Sequence, residues 1–224
     1  MEKIGIMDLF DLNRTIGAAL FDNLEYPWQA LKRISDFIIA LGATLDPEQY
    51  EHPGDGIWIS RRAKVAPTAS ITGPVIIDHD AQVRHCAFIR GSALVGKNAV
   101  VGNSTELKNA VLFDGVQAPH FNYVGDSILG YKAHMGAGSI TSNVKSDKTL
   151  VQVKLDTRVI DTGLKKFGAM LGDEVEIGCN SVLNPGTIIG RRTSVYPTSC
   201  VRGVVMQDAI YKAPGQIVPR RKAT

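Results

Sequence analysis

His120 is the residue whose type and position most directly suggest chemistry. It lies in segment 116–126, where a repeat that runs through the preceding residues is interrupted. Side chains outside the packed interior of a repeat are the ones available for function. An imidazole titrates near neutral pH, so His120 could accept a proton from a substrate. The alternative is a loop histidine that hydrogen-bonds only to nearby backbone.

Two further histidines raise the alternative of a metal site. His79 and His85 are one six-residue step apart, which puts them on adjacent faces of a repeat rather than above one another. A catalytic zinc ion needs a third ligand and hydrogen-bonded partners around its ligands, and His120 and His134 do not have the spacing to complete the set. We therefore predict no metal site.

The element that must position His120 is a hexapeptide repeat. Apolar residues recur at every sixth position in two runs, Ile59, Val65, Ile71, Ile77, Val83, Ile89, Val95, Val101, Leu107 and Phe113, then Leu171, Ile177, Leu183, Ile189, Val195 and Val201. A step of six fits neither a helix nor a strand, and it is typical of a β-helix whose coils each contain three short strands. A β-sandwich would not keep two runs in step, because its turns fall at irregular intervals. The sequence predicts an all-β fold, a left-handed parallel β-helix with a short N-terminal helical segment.

The chain divides into an N-terminal helical cap and linker at 1–56, the β-helix at 57–206 with an inserted loop at 144–168, and an extended tail with a basic end at 207–224. Asn13 or Thr15 could cap a short helix, and Pro27 opens a second helix whose apolar spacing continues to Gly42. We expect this helical pair to cover the open first coil, because an uncapped end exposes unpaired strand edges.

Composition excludes several classes of function. Lys and Arg total 25 against 22 Asp and Glu, which is too balanced for a nucleic-acid-binding stripe. No run of eighteen apolar residues is present, and the N-terminus lacks the pattern of a secretory signal. Cys86, Cys179 and Cys200 have no paired spacing and are typical of reduced thiols. We expect a cytoplasmic protein that binds neither nucleic acid nor membrane.

Two segments around His120 resemble a known family. Pro119–Ser127 reads P-H-F-N-Y-V-G-D-S and Gly136–Asn143 reads G-A-G-S-I-T-S-N. They are similar to the P-H-x-x-Y-x-G-D-(S/A) and G-A-G-T-x-T-x-N segments of glucosamine-1-phosphate N-acetyltransferases. That family is the acetyltransferase half of the bacterial bifunctional enzyme that makes UDP-N-acetylglucosamine, and of archaeal sugar-phosphate nucleotidylyltransferases. Residues 166–178 resemble the archaeal branch, and the resemblance covers roughly residues 59–206.

The resemblance implies roles for individual residues. His120 would be the general base that takes a proton from the sugar amine, Tyr123 would contact the sugar phosphate or the developing oxyanion, and Asn143 would bind the amino sugar. It also implies substrate contacts by Asn122, Lys145 and Lys148, and acetyl-CoA contacts by Gly136, Ala137, Gly138 and Cys179. No metal takes part in the implied transfer. For the lysines, a solvated loop face is the alternative.

The sequence departs from the family in two ways. Val144 stands where bacterial members have a tyrosine, and Gln152 where they have a further lysine, so the departures concern the phosphate end of the substrate. The resembling enzymes also begin with a nucleotide-binding domain that carries a glycine-rich segment. No such segment is found in this sequence, so we do not expect uridylyl transfer by this chain, and a separate nucleotidyltransferase would supply it.

Three hypotheses stay open. The first is acetyl transfer from acetyl-CoA to an amino sugar phosphate, most simply glucosamine-1-phosphate, in the synthesis of UDP-N-acetylglucosamine or a related nucleotide sugar. The second is the same transfer to another amino sugar or nucleotide sugar, and the third is a non-catalytic β-helix that binds a sugar nucleotide or a partner. The resemblance also predicts a homotrimer whose contacts are made by outward residues of the flat faces.

Overall fold

Short parallel strands stack on three sides of a prism in the computed structural model, which describes residues 3–155 and 157–220. Ile59 pairs with Ile77, and Ile77 pairs with Val95 on the next coil. Each coil therefore contains three six-residue units, as the repeat predicts. The predicted parallel β-helix is confirmed.

The three faces are numbered in the order in which the chain enters them. The first face contains Ile57–Ser60, Val75–Ile77, Ala93–Val95, Ala169–Leu171, Thr187–Ile189 and Val204–Val205. The second face contains Lys64–Val65, Gln82–Val83, Val100–Asn103, Gln117–His120, His134–Met135, Glu176–Ile177, Ser194–Val195 and Ala209–Ala213. The third face contains Ser70–Thr72, Phe88–Arg90, Ile140–Thr141, Val182–Leu183 and Cys200–Val201. Glu106–Leu112 and Tyr123–Leu129 run from the third face round a corner onto the first face.

The inward side chains form the interior of the prism. From Ile77 onward the predicted inward residues Val83, Ile89, Val95 and Val101 are almost completely buried. Burying one such side chain contributes about 1.5–3 kcal/mol. The sixth-position side chains therefore make a large stabilising contribution to the fold.

The repeat is not interrupted at 116–126 as predicted. Instead, the six-residue step shortens to five residues between Leu107 and Leu112, and again between Val124 and Leu129. Val95 pairs with Leu112, and Leu112 with Leu129. Each of these coils is one residue shorter than the coil between Ile77 and Val95. The strands continue through both coils, so His120 ends a regular strand instead of lying in a loop.

The shortening moves Phe113 out of the interior position that the sequence predicts for it. Leu112 takes that position. Phe113 turns to the outer side, where its ring centroid lies 5.1 Å from that of Phe10 and 5.9 Å from that of Phe21. Phe113 is thus an outer anchor for the N-terminal segment.

The N-terminal segment lies along the first face rather than over the first coil. It contains the α-helices Ile6–Leu9 and Ile34–Gly42 and the 3₁₀ helices Leu12–Arg14, Ala18–Phe21 and Pro27–Lys32. Helix Ile34–Gly42 contacts strands Val75–Ile77, Ala93–Val95 and Glu106–Leu112. The predicted capping role was therefore wrong, because the free edge of Ile57–Ser60 is paired by the antiparallel strand Tyr50–Gly54.

Details of the predicted helices also differ. Asp11, and neither Asn13 nor Thr15, is the N-cap residue of Leu12–Arg14, and its side chain accepts a hydrogen bond from the Asn13 backbone. The helix predicted from Pro27 divides at Arg33 into a 3₁₀ part and an α part.

The segment predicted as an inserted loop and the segment predicted as an extended tail both contain strands. The insertion forms an antiparallel hairpin from Val151–Lys154 and Val159–Leu164. Ala209–Ala213 extends the second face and pairs with the antiparallel strand Gln216–Pro219, so the predicted boundary at residue 206 is not a structural one. The predicted basic end at 221–222 lies outside the described residues. Within the part of the chain that the structure describes, no helix is long and apolar enough to cross a membrane.

Candidate active site

Asp126 is the centre of a polar cluster at the end of the third face. Its side chain is 5% exposed and lies 2.9 and 3.0 Å from Lys108 Nζ. The amides of Asn109 and Asn143 donate to the same carboxylate, at 2.9 and 2.5 Å. Because Asp126 is nearly buried and accepts from all three donors, its carboxylate fixes the amide of Asn143 in place.

Two of the predicted catalytic residues contact each other at this cluster. Asn143 Nδ2 lies 3.2 Å from Tyr123 Oη. Tyr123 and Gly125 are two positions apart on one strand, so they face the same side. A Cβ on Gly125 would lie 2.5 Å from Tyr123 Oη, so the glycine leaves the space in which the ring lies along the face towards Asn143.

The Tyr123 hydroxyl is a proton donor at neutral pH. Burial raises the pKa of Tyr123 above its usual range, and the nearby carboxylates of Asp126 and Glu106 raise it further. The phenol therefore stays protonated and can donate to a phosphate oxygen or an oxyanion.

His120 lies at the corner between the second and third faces, three residues before Tyr123. The residue is exposed. Its backbone nitrogen donates to Asn122 Oδ1 at 3.2 Å, and its carbonyl accepts from the Gly138 nitrogen at 3.0 Å. The imidazole has no hydrogen-bond partner among residues 3–155 and 157–220, so it is available to a ligand.

Asn122, predicted to contact the substrate, points into the prism instead. It is 2% exposed, and its amide nitrogen donates to the carbonyls of Gly136 and Ser139 at 2.8 and 3.1 Å. These bonds and the one from His120 satisfy the side chain inside the corner. The predicted sugar contact was wrong for Asn122, which instead holds the backbone from which His120 projects.

The four residues predicted to contact acetyl-CoA lie above His120 along the same edge of the prism. The Gly138 nitrogen donates to the His120 carbonyl. One coil further on, the Asn180 nitrogen donates to the Ala137 carbonyl at 2.9 Å. A Cβ on Gly136 would lie 2.6 Å from the nitrogen of Cys179, so the coils approach closely here. Cys179 is a free, exposed thiol.

The predicted lysines belong to the insertion rather than to the cluster. Lys145 Nζ lies 3.3 Å from Asp147 Oδ2, and Lys145 lines a cavity of about 450 Å³ beside the hairpin. Lys148 is exposed in a turn with a φ of 60° and does not line this cavity. No hydrogen bond or ion pair among the described residues joins either lysine to Tyr123 or His120.

Two cations on the third face were missed by the sequence analysis. Arg90 Nη1 lies 2.9 Å from Glu106 Oε1, and Lys108 contacts Asp126. Arg90 and Lys108 are one coil apart and follow paired strand positions, so their side chains share the outer side of this face. Their spacing of one coil was the signal that could have found them.

The histidines considered as metal ligands have other partners. The ring of His79 contacts the Ser60 hydroxyl, and His85 Nδ1 lies 2.7 Å from Thr68 Oγ1. Among residues 3–155 and 157–220, no group of three or more His, Cys, Asp or Glu side chains is placed to hold a metal ion.

Comparison with known proteins shows the family. The family model described as the GMPPB C-terminal domain matches residues 71–193, more than half of the chain. This chain belongs to that family. A bifunctional sugar-1-phosphate nucleotidylyltransferase/acetyltransferase from Sulfurisphaera tokodaii is 34% identical over 109 residues, which are 49% of this chain and 27% of that protein. A bifunctional protein GlmU from Methanococcus maripaludis is 26% identical over 236 aligned residues, 96% of this chain and 53% of that protein.

This chain spans about half of the length of these curated relatives or less. The predicted resemblance to the sugar-phosphate nucleotidylyltransferases is confirmed. Among solved structures, a perosamine N-acetyltransferase mutant from Caulobacter crescentus in complex with CoA and GDP-perosamine is 15% identical, with a TM-score of 0.36, over 74% of this chain and 57% of that chain. A hexapeptide transferase family protein from Anaplasma phagocytophilum is 13% identical, with a TM-score of 0.36, over 75% of this chain and 80% of that chain.

Proposed function

We propose that this chain transfers the acetyl group of acetyl-CoA to the amine of an amino sugar phosphate, with glucosamine-1-phosphate as the simplest acceptor. The observation that supports the proposal most strongly is the exposed, unpartnered imidazole of His120, one corner away from the bonded pair Tyr123 and Asn143. The name of the Sulfurisphaera tokodaii relative, which includes an acetyltransferase activity, agrees with this assignment.

His120 acts as the general base in the proposed reaction. The amine nitrogen attacks the thioester carbon, and its proton passes to the imidazole as the new C–N bond forms. The tetrahedral intermediate then collapses with cleavage of the C–S bond, and the imidazolium returns the proton to the departing thiolate. A positioned base contributes roughly 10²–10⁴ in rate.

The third face binds the acceptor in this proposal. Asn143 contacts the amino sugar, and its amide is held for this by Asp126. Arg90, Lys108 and the protonated Tyr123 are the donors for the acceptor phosphate, since charge-assisted hydrogen bonds from such groups are the strong ones. The substrate contacts predicted for Lys145 and Lys148 remain predictions.

Acetyl-CoA lies along the edge above His120 in this proposal. Successive coils are ~4.8 Å apart, so Ala137 and Cys179 line the path of the pantetheine arm one and two coils above the base. The thioester then reaches the level of His120, where the amine attacks it.

We also propose that the chain forms a homotrimer. The N-terminal segment covers the first face, so a closed three-fold contact uses the second and third faces. Phe121, which is 63% exposed beside His120, would be buried by such a contact. Light scattering should give about three times the chain mass of 24.2 kDa, and a monomer would contradict the proposal.

The reaction is tested by measuring release of free coenzyme A in the presence of glucosamine-1-phosphate. His120→Ala should lower kcat by roughly 10²–10⁴. His85→Ala is the matched control, because His85 is an exposed histidine at the same corner two coils earlier and should leave the rate unchanged. Equal turnover by the wild type and His120→Ala would exclude His120 as the base.

The remaining hypotheses are separated by two further measurements. A panel of amino sugars and amino-sugar nucleotides distinguishes glucosamine-1-phosphate from other acceptors. A melting temperature that does not rise with acetyl-CoA far above a reasonable Kd would favour a non-catalytic binding module.

A further inference from the structure

A cavity of about 450 Å³ lies between the insertion and the last coils of the prism. We call it the insertion cavity, and its polar and charged lining includes Ser142, Lys145, Asp147, Lys154, Asn184 and Arg202. We infer that the insertion cavity binds a phosphate or diphosphate group of an organic ligand. This inference deepens the proposed function, because both proposed substrates contain phosphate.

The charges around the insertion cavity favour an anion. Lys145, Lys154 and Arg202 line it, against the single carboxylate of Asp147, which pairs with Lys145. The side chains of Lys154 and Arg202 have no hydrogen-bond or ion-pair partner among residues 3–155 and 157–220. Two unpaired cations on the wall of one concavity raise its potential and attract a multivalent anion.

Several other surface arginines of the chain have acidic partners. Arg192 Nε lies 2.7 Å from Asp208 Oδ1, and Arg61 Nη1 lies 2.8 Å from Glu51 Oε1. The absence of a partner at Arg202 within the described residues is therefore not a general property of this surface. A phosphate would supply the acceptors that its guanidinium lacks.

The insertion cavity adjoins the candidate active site. Ser142 and Val144, the neighbours of Asn143 on both sides, line it. Ser142, Asn184 and Arg202 each follow paired inward residues on successive coils, so they form one column on the outer side of the third face. A nucleotide-linked amino sugar that lies against Asn143 can thus extend its diphosphate towards Arg202, whereas the single phosphate of a sugar phosphate points to Arg90 and Lys108.

Two ligands share this chemistry. One is a nucleotide-linked amino sugar acting as the acceptor, whose diphosphate would follow the sugar. The other is coenzyme A, whose diphosphate would lie above the level of the thioester. Inorganic pyrophosphate represents the shared group, and competition against it distinguishes the two sources.

The test is calorimetric titration of the full chain with inorganic pyrophosphate at fixed ionic strength. We expect one saturable site per chain. Arg202→Gln should weaken binding about tenfold, and the double variant with Lys154→Gln about a hundredfold. Lys64→Gln is the matched control, because it removes one exposed lysine from the second face and should change Kd less than about twofold. Unchanged thermal melts show that the variants are folded.

Competition assigns the source of the phosphate. Displacement of pyrophosphate by UDP but not by coenzyme A identifies the acceptor, whereas displacement by coenzyme A but not by pantetheine identifies the coenzyme. Either result supports the site. Absence of saturable pyrophosphate binding, equal weakening by Lys64→Gln and Arg202→Gln, or displacement by neither organic ligand would overturn it.

This readout needs no turnover, so the two proposals fail separately. If the protein is inactive but still binds pyrophosphate through Arg202, the proposed acetyl transfer is refuted and the proposed phosphate site stands. If the protein is active but does not bind pyrophosphate, the phosphate site is refuted and the acetyl transfer stands.

Discussion

The first and third faces of the prism are built on the same inward repeat but differ completely on their outer sides. The middle residues of the first-face strands, Ile76, Leu94, Val111 and Ile128, point outward and are fully buried beneath other parts of the chain. The outer row of the third face is mixed and open, running from Phe88 through Glu106 and Tyr123 to Ile140. The inward residues thus determine the fold, whereas the outward residues determine which face is closed and which is available for chemistry.

The difference has an energetic basis. Each outer aliphatic side chain buried on the first face contributes about 1.5–3 kcal/mol, which holds the N-terminal segment in place. The third face instead contains a carboxylate whose removal from water is offset by three donors. One face is stabilised by apolar contact, and the other keeps polar groups in fixed positions.

The largest expected effect comes from the anchor of the covered face. Phe113→Ala should lower the free energy of unfolding by about 3–5 kcal/mol, because it leaves a cavity between Phe10 and Phe21. Urea denaturation measures the change. Phe88→Ala, at an exposed phenylalanine of the third face, should cost less than about 0.5 kcal/mol. An equal loss of unfolding free energy in the two variants would show that the outer side of the first face is not shielded from solvent.

The polar cluster should respond somewhat less. Asp126→Ala should lower the free energy of unfolding by about 3 kcal/mol, at the low end for a broken buried pair, because Lys108 keeps some exposure. Asp80→Ala removes the partner of the exposed Arg62 and should cost at most about 1 kcal/mol. A similar cost for both variants would mean that Asp126 is solvated like an ordinary surface carboxylate.

A smaller change tests the position of the Tyr123 ring. Gly125→Ala should lower stability by about 1 kcal/mol and acetyl transfer by about tenfold, because its methyl group displaces the ring from Asn143. Gly54→Ala is the control, since a Cβ there would meet nothing closer than 3.6 Å. Full activity in Gly125→Ala would contradict the proposed contribution of the Tyr123 hydroxyl.

The smallest expected effect is a loss of stability that appears only at alkaline pH. It concerns Tyr50, whose strand closes the edge of the first face. Burial raises its pKa, and the hydrogen bond to Asp78 at 2.6 Å raises it further. The unfolded chain therefore loses this proton first as pH rises, so the stabilisation is complete below about pH 10 and declines above it. Melting temperatures between about pH 8 and about pH 11 should show the decline.

The same series with Tyr50→Phe gives the control. This variant should show a shallower decline than the wild type, since it has no phenol to ionise. Identical curves would assign the alkaline loss to other groups, among them Tyr123, whose pKa is also raised.

The repeat was sufficient to predict the fold, because inward positions recur at a fixed step. The two motifs predict that His120, Tyr123 and Asn143 share a site, and the structure joins Tyr123 and Asn143 by a hydrogen bond. Pattern matching failed at Asn122, because a motif does not say which of its residues points inward. It also missed Arg90 and Lys108, because neither belongs to the two motifs and only their spacing of one coil relates them.

The N-terminal segment shows a second limit. Leu112 and Phe113 are both apolar, so the six-residue pattern of apolar residues continues to Phe113. The sequence therefore does not show that Leu112 is the inward residue. The docking of helices on the first face depends on contacts between distant parts of the chain, and no local spacing encodes them. Trp28 and Leu31 of this segment are buried, but the helical spacing of apolar residues does not say which part of the chain covers them.

The coil between Val95 and Leu112 is one residue short, and this length links the register of the core to the docking of the N-terminal segment. If the unchanged sequence adopted a six-residue step after Leu107, Phe113 would take the interior position, and Phe10 and Phe21 would lose the ring against which they pack. Docking of the N-terminal segment should therefore require the aromatic ring at this position to point outward: homologues in which the corresponding ring points inward should either lack this segment or secure it by another residue.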